Sequence, residues 1–226
     1  MKESSVLFRY TDIPGAVYML QTKNLTLLNP ESWDDANDSH FLKLYKSARQ
    51  LTCLAALCFS EADETYHHWR IFAAGSSGVR IEFNRETLFA ALDVVPEIRR
   101  EKVEYRLIRD LKKGAPTISE LPFLKRQPYE NEDEYRLIYE SKDIEQKTVD
   151  IPIPLSAIRR ITLSPWMNKT VSKSVRQLIR TISGCEKLSV PRSTLIGNDD
   201  WMAYGDAALR AHKMRVSAKP SNKKRR

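Results

Sequence analysis

The chain has 226 residues, 42% of them hydrophobic, with 37 Lys/Arg against 29 Asp/Glu. It is long enough for one domain with a substantial core, and it lacks the run of about 20 apolar residues that a membrane-spanning helix needs. Eight of the basic residues and none of the acidic ones fall in the last 18 positions, "LRAHKMRVSAKPSNKKRR", so the rest of the chain is neutral and a wholly basic nucleic-acid-binding domain is excluded.

The opening "MKESSVLFRYTDIPG" has no apolar core of a secretory leader, which makes a cytoplasmic protein the expectation. Within it, "SVLFRY" predicts a strand. Asp12 as N-cap and Pro14 in the first turn predict a helix over "TDIPGAVYMLQTKN", and "LTLLNP" predicts a second strand. "ESWDDANDSH" reads as a polar loop, "FLKLYKSARQ" as a helix, and "LTCLAALCFS" as a buried strand. Cys53 and Cys58 in that strand, with Cys185, show no metal or redox spacing and read as small buried hydrophobes.

"DETYHHWRIFA" predicts a helix with Tyr66, Trp69 and Ala73 on one face. "GSSGVRIEFN" predicts a turn and a strand with Val79, Ile81 and Phe83 inward, and Asn84 then caps "RETLFAAL". "EKVEYRLI" is a strand candidate and "ISELPFLKRQPY" reads as helical up to its prolines. "EYRLIYE" is a strand and "TVDIPIP" an edge strand. After "LSAIRRITLSP", a turn and strand, "VSKSVRQLIRTIS" predicts a helix with an apolar stripe of Val171, Val175, Leu178, Ile179 and Ile182. "CEKLSVPRS" closes with a short strand and "DDWMAYGDAALRAHKM" with a helix. Strands and helices mix without regular βαβ spacing. The expected fold is therefore a single α+β domain over residues 1–208, with a mixed, mostly antiparallel sheet, followed by a basic, disordered tail over 209–226. The tail predicts weak, salt-sensitive contact with polyanions such as nucleic acid.

The ordered series "LFRYTDI", "NPESWDDANDSH", "CFSE", "HHWRIFAAGSSGVRIEFN", "EDEYRLIY" and "IRRITLSPWMNKTVSKSVRQLI" resembles a bacterial and phage family known only as a domain of unknown function, over roughly residues 5–195. The chain departs from that family's Asn-Asp-Pro-Phe element, where it has "NPESWDDANDSH". More distantly, "LFRYTDIPGAVYMLQTKNLTLLNPESW" and "ENEDEYRLIYESKD" with "DIPIPLSAIRRITLSP" resemble the opening and closing parts of ADP-ribosyltransferase-like domains. Glu132-x-Glu134 has the spacing of the arginine-class Glu-x-Glu motif, but the Ser-Thr-Ser element of that class is absent. The likeness implies a split sheet, NAD as substrate, a role in phage–host conflict, and cleavage of a ribosyl bond.

Under that resemblance Glu134 is the carboxylate that stabilises an oxocarbenium-like cation, and Glu132 is a second carboxylate orienting the acceptor. Arg9 is the nucleotide anchor, Tyr10 stacks on a base or nicotinamide ring, and Tyr66 or Trp69 lines the pocket. The period of a strand puts Glu132, Glu134, Arg136 and Ile138 on one face, with Glu134 partly exposed at the strand mouth. Structural alternatives stand beside each role. Glu134 pairs with Arg136 or a nearby Lys, Arg9 pairs with Asp12 or Glu134, and Tyr10 and Trp69 pack in the core. His67 and His68 diverge on a helix, and no further ligand spacing accompanies them, so no metal is expected. "SWDDANDSH" lacks the spacing of a calcium loop. The competing functions are a noncatalytic nucleotide- or nucleic-acid-binding module and, on Glu82 and scattered acids, a nuclease whose Asp…Glu-x-Lys spacing is missing. The residues leave the acceptor and the oligomeric state open.

Overall fold

The structure is a computed structural model describing residues 4–73 and 75–217. The first strand, β1 (Val6–Asp12), hands directly to helix α1 (Ile13–Thr22). The Asp12 carboxylate accepts the Gly15 amide at 2.8 Å, so the sequence-predicted cap forms. β2 (Asn24–Leu28) follows, then a 3-10 turn and α2 (Ala36–Ala48), then β3 (Cys53–Ser60). Here the expected polar loop is corrected. Asp35 caps α2 through the Asn37 amide, and half of "SWDDANDSH" is helical. The buried stripe of α2 is Asp38, Leu42 and Tyr45, so a charged residue occupies an apolar position and hides the helical period.

α3 (Tyr66–Phe72), β4 (Gly78–Asn84) and α4 (Arg85–Leu92) form where patterning places them, with Val79, Ile81 and Phe83 fully buried and Asn84 capping α4. The "EKVEYRLI" strand divides. β5 (Ile98–Lys102) joins the main sheet, Val103 is buried, and β6 (Glu104–Arg106) turns away before the short α5 (Ile108–Leu111). The expected helix in "ISELPFLKRQPY" is replaced by two 3-10 segments, Ile118–Phe123 and Gln127–Glu132, flanking β7 (Leu124–Arg126), which pairs in parallel with β6. Pro122 and Pro128 each remove a backbone donor that a continuous α-helix would use.

β8 (Glu134–Ser141), β9 (Thr148–Pro152), β10 (Ile158–Leu163), α6 (Lys169–Arg180) and α7 (Asp199–Ser217) complete the chain. "CEKLSVPRS" forms only isolated bridges, Ser189 to Arg160 and Arg192 to Leu163. On α6 the buried face is Ser172, Val175 and Ile179, while Val171 and Leu178 are exposed, so the true stripe is narrower and rotated from the expected one. α7 runs on through 209–217, residues assigned to the tail from charge alone, and residues 218–226 of that tail lie outside the described part.

The architecture is α+β, a single domain with an eight-stranded antiparallel sheet and packed helices. Strand order is β10-β4-β1-β3-β2-β9, with β8 along the other edge of β3 and β5 outside β8. β3 and β8 pair over their whole length, Cys53 with Ser141 through Ser60 with Glu134. The opposite edge of β3 is shared. Ser60 pairs with Phe8 of β1, Ala56 pairs with Leu28 of β2, and the two neighbours part between them. One face of the sheet carries the larger core, with Leu57, Phe59, Ile81 and Leu137 beneath α1, α4 and α6. The other carries a smaller one, with Leu42 and Tyr45 of α2 against Leu54, Ala56 and Ile138. β9 is an edge strand, where Pro152 at its end is tolerated. No described helix is long and apolar enough to cross a membrane.

Candidate functional site

The parting of β1 from β2 opens a cleft of about 610 Å³ on the α2 side of the sheet, a size that suits a small-molecule ligand. Its walls come from β1 (Phe8, Arg9, Tyr10), β3 (Ala56 to Ser60), the entrance of α2 (Trp33, Asp35, Asp38), the end of α3 (Ile71, Phe72), and the segment carrying Lys125, Tyr129, Glu132 and Glu134. Residues from opposite ends of the chain thus meet in one concavity.

Arg9 alternates with Phe8 and Tyr10 and so leaves β1 from the other face, yet it lines the cleft because the sheet is open at that point. No ion pair or hydrogen bond reaches its guanidinium among the described residues, so the expected alternative partners, Asp12 and Glu134, are not engaged. Burial lowers its pKa, against the effect of Cys58. An unpaired, desolvated guanidinium at a cavity wall is a strong site for an anion with two acceptor oxygens.

Tyr10 lies beside it, its ring stacked on His68 at 5.6 Å and edge-on to Trp69 at 5.3 Å. Its hydroxyl is buried and meets no hydrogen-bond geometry among the described residues, and burial pushes its pKa up to about 12 against the nearby Arg80 guanidinium. Trp69 is fully buried behind it, with the indole N–H donated to Glu64 at 2.7 Å, and Tyr66 is half exposed against Trp166. Neither Tyr66 nor Trp69 lines the cleft, and Ile71 and Phe72 of the same helix do so instead. Every third or fourth residue of a helix shares a face, but the expected face of Tyr66, Trp69 and Ala73 holds only Trp69 in the core; the buried pair is His68 and Trp69, and Ile71 and Phe72 turn to the cleft.

The acidic wall is a buried charge network. Arg136, 0% exposed, donates from Nε to Glu134 at 2.7 Å and forks onto Asp38 at 2.9 and 2.7 Å, with a further bond to the Pro122 carbonyl. Lys125 reaches Glu132, Glu134 at 3.1 Å and Asp38 at 3.7 Å. Three carboxylates therefore face two cations. Glu134 is only 3% exposed, so its expected partial exposure is corrected, and both of its oxygens are held, one by Arg136 and one by Lys125. Burial opposes its ionisation, but Arg136 and Lys125 outweigh that and bring its pKa to about 2. Burial likewise opposes the charge on Lys125, and Glu134 and Glu132 together raise its pKa.

Glu132 differs. It ends a 3-10 segment, not the strand, and Asp133 at φ 45° makes the corner into β8. Its carbonyl accepts from Ser60 Oγ at 2.7 Å, with His68 Nε2 at 3.4 Å, which fixes the turn to β3 and α3. Lys125 is the cation on its side chain, and burial raises its pKa in spite of that partner. Of the two glutamates, Glu132 is the one with carboxylate capacity left for a ligand. Cys58 on the cleft floor has its thiol pKa raised well above normal, first by burial and then by Glu134. Asp38, Lys125 and Arg136 were not singled out as site residues from sequence. Only the covering of Arg136 by its strand partners and the apolar phase of Asp38 on α2 reveal them.

Among the described residues no group of three or more His, Cys, Asp or Glu is placed to hold a metal ion. No protein-family model matches the chain, and no curated protein does, so the resemblance to a family of unknown function gains no support. Among solved structures, DarT of Thermus sp. 2.9 in complex with ADP-ribosylated ssDNA is similar with a TM-score of 0.43 and 12% identity, over 85% of this chain and 98% of that one. The same protein in complex with NAD+ gives 0.43, 12%, 85% and 96%, and with carba-NAD+ 0.41, 12%, 85% and 95%. A likeness of this degree assigns no function by itself.

Proposed function

We propose that the chain is an ADP-ribosyltransferase-like enzyme that binds NAD in the cleft and cleaves its nicotinamide–ribose bond. The observation that carries this reading is the pairing, within one cavity, of an unpartnered arginine, Arg9, with a carboxylate that is not fully committed, Glu132. A dinucleotide offers a diphosphate to the first and a sugar that becomes cationic to the second.

In this reading Arg9 forks onto the diphosphate, and Tyr10 and Phe72 supply ring faces to the base or nicotinamide. The C1′–N bond breaks with its electron pair leaving on nicotinamide. The Glu132 carboxylate faces the positive charge that develops on the ribose, and a preorganised charge in a partly dry cleft acts strongly there. An acceptor nucleophile, or water, then adds to C1′ and releases its proton. Glu134 acts as a positioning residue. It holds Arg136 and Lys125, which in turn fix Asp38 and Glu132. This gives Glu132 the charge-stabilising role that the Glu-x-Glu resemblance assigns to Glu134.

The test is incubation of the full chain with NAD, reading free nicotinamide and dinucleotide binding separately. Release that disappears in Glu132→Gln, with binding retained, is the expected result. Saturable binding without release identifies the noncatalytic nucleotide-binding module instead. Neither binding nor release overturns both readings.

A further inference from the structure

Helix α7 has no place in the site or in the core. Asn198 caps it, its side chain accepting the Trp201 amide at 2.9 Å, and it runs for 19 residues. Every side chain from 199 to 215 is exposed. Trp201 is 80% and Tyr204 77% exposed, with Met202 and Leu209 about half exposed. A helix this exposed is marginal in water, and large bare aromatic side chains mark a contact surface.

The side chains of α7 are arranged for one kind of partner. Trp201, Tyr204, Ala208 and Ala211 follow a three-four-three spacing, which sets them in a single narrow stripe. The large residues occupy its first half and the small ones its second. The charges divide in the same sense, with Asp199, Asp200 and Asp206 early and Arg210, Lys213 and Arg215 late. A second α7 laid antiparallel matches both divisions at once. Trp201 meets Ala211 and Tyr204 meets Ala208. At about 100° per residue, Asp200 and Arg215 are the charges that border this stripe, so Asp200 of one copy lies toward Arg215 of the other, while Asp199, Asp206, Arg210 and Lys213 lie on the far face. A parallel pair would instead set aromatic on aromatic and like charge on like charge. Gly205 lies near the two-fold of the antiparallel pair. Glycine in mid-helix costs about 1 kcal/mol relative to alanine, and space is open around its Cα, so close approach of a second backbone gives it a use.

We infer that α7 is a homodimerisation element, pairing antiparallel with α7 of a second copy of this chain through Trp201, Tyr204, Ala208 and Ala211. The contact is isologous, so it closes at two copies.

Sedimentation of the full chain over a range of concentrations tests the pairing. The wild type dimerises, and Trp201→Ala with Tyr204→Ala is monomeric. Asp199→Lys with Asp200→Lys makes both ends of the helix basic, and Lys213→Glu with Arg215→Glu makes both ends acidic. Each of these alone self-associates at least about a hundredfold more weakly, because like charges meet. Mixed one to one, they form a heterodimer. These residues lie outside the core, so the body keeps its cooperative thermal unfolding even where the helical signal of α7 falls with the lost pairing, and misfolding is separated from lost pairing. A monomeric wild type overturns the inference, as does a mixture that fails to pair. So does a chain that stays monomeric and is held on a polyanion through Lys213 and Arg215. None of these outcomes depends on NAD.

Discussion

Replacing Glu134 with Gln preserves shape and removes a charge that Arg136 and Lys125 both hold. Moving a carboxyl from an ordinary 4.5 to about 2 on folding contributes about 3 kcal/mol of stability at pH 7. The sign follows from the depressed value. The contribution is complete above the unfolded-state pKa near 4.5 and is lost as pH falls through the folded-state value near 2. Removing one member of a buried pair also strands its partners, which costs a similar amount, about 3–5 kcal/mol. For a chain of this size that corresponds to a melting point lower by about 6–12 °C. Thermal and urea denaturation of wild type and Glu134→Gln at pH 7 and pH 3 measures the effect. The difference should be about 3 kcal/mol at pH 7 and roughly half that at pH 3. A variant as stable as wild type at pH 7 would refute the reasoning, since it would mean that Glu134 is free in solution and that the network is not holding it.

Three further outcomes follow from the same wall and floor of the cleft. Glu132→Gln should lower nicotinamide release about a hundredfold while shifting stability by no more than about 1 kcal/mol, because burial already disfavours its charge. Arg9→Met should weaken dinucleotide binding at least about tenfold in calorimetry and leave the protein as stable or more so, since a partly buried, desolvated cation without a partner among the described residues opposes folding at pH 7. Cys58 should react with iodoacetamide at pH 8 far more slowly than the same thiol in urea, because burial and Glu134 hold it protonated, and a fast reaction in the native state contradicts that environment.

Much of this arrangement is legible in the residues. The cap at Asp12, the alternation in "GVRIEFN" and the turn of "EYRLIY" into a strand are local signals, and each forms where its pattern places it. Arg9, Tyr10, Glu132 and Glu134 do come together in one cleft. What the residues concealed is long-range. A Glu-Tyr-Arg run looks the same whether its charges face water or each other. Only the fork from Arg136 to Asp38, 98 positions away, makes it an interior network. Asp38 looks like loop composition until that partner is known, and Trp69 looks like a pocket aromatic until Tyr10 covers it. The apolar stripe of α6 shifted because Ser172 can be buried by donating to the Lys169 carbonyl, a satisfaction that hydrophobic counting does not score.

The parting of β1 from β2 has a consequence that no side chain carries. Between Ala56 and Ser60, the edge of β3 turned away from β8 has no described strand alongside it. The main-chain amides and carbonyls on that edge near Leu57, Cys58 and Phe59 border the cavity. Such groups can read the outline of a ligand through the polymer backbone, so recognition there survives drift in the amino acids that surround it. Their amide protons should exchange with solvent faster than those facing β8, and a bound ligand should slow them residue by residue.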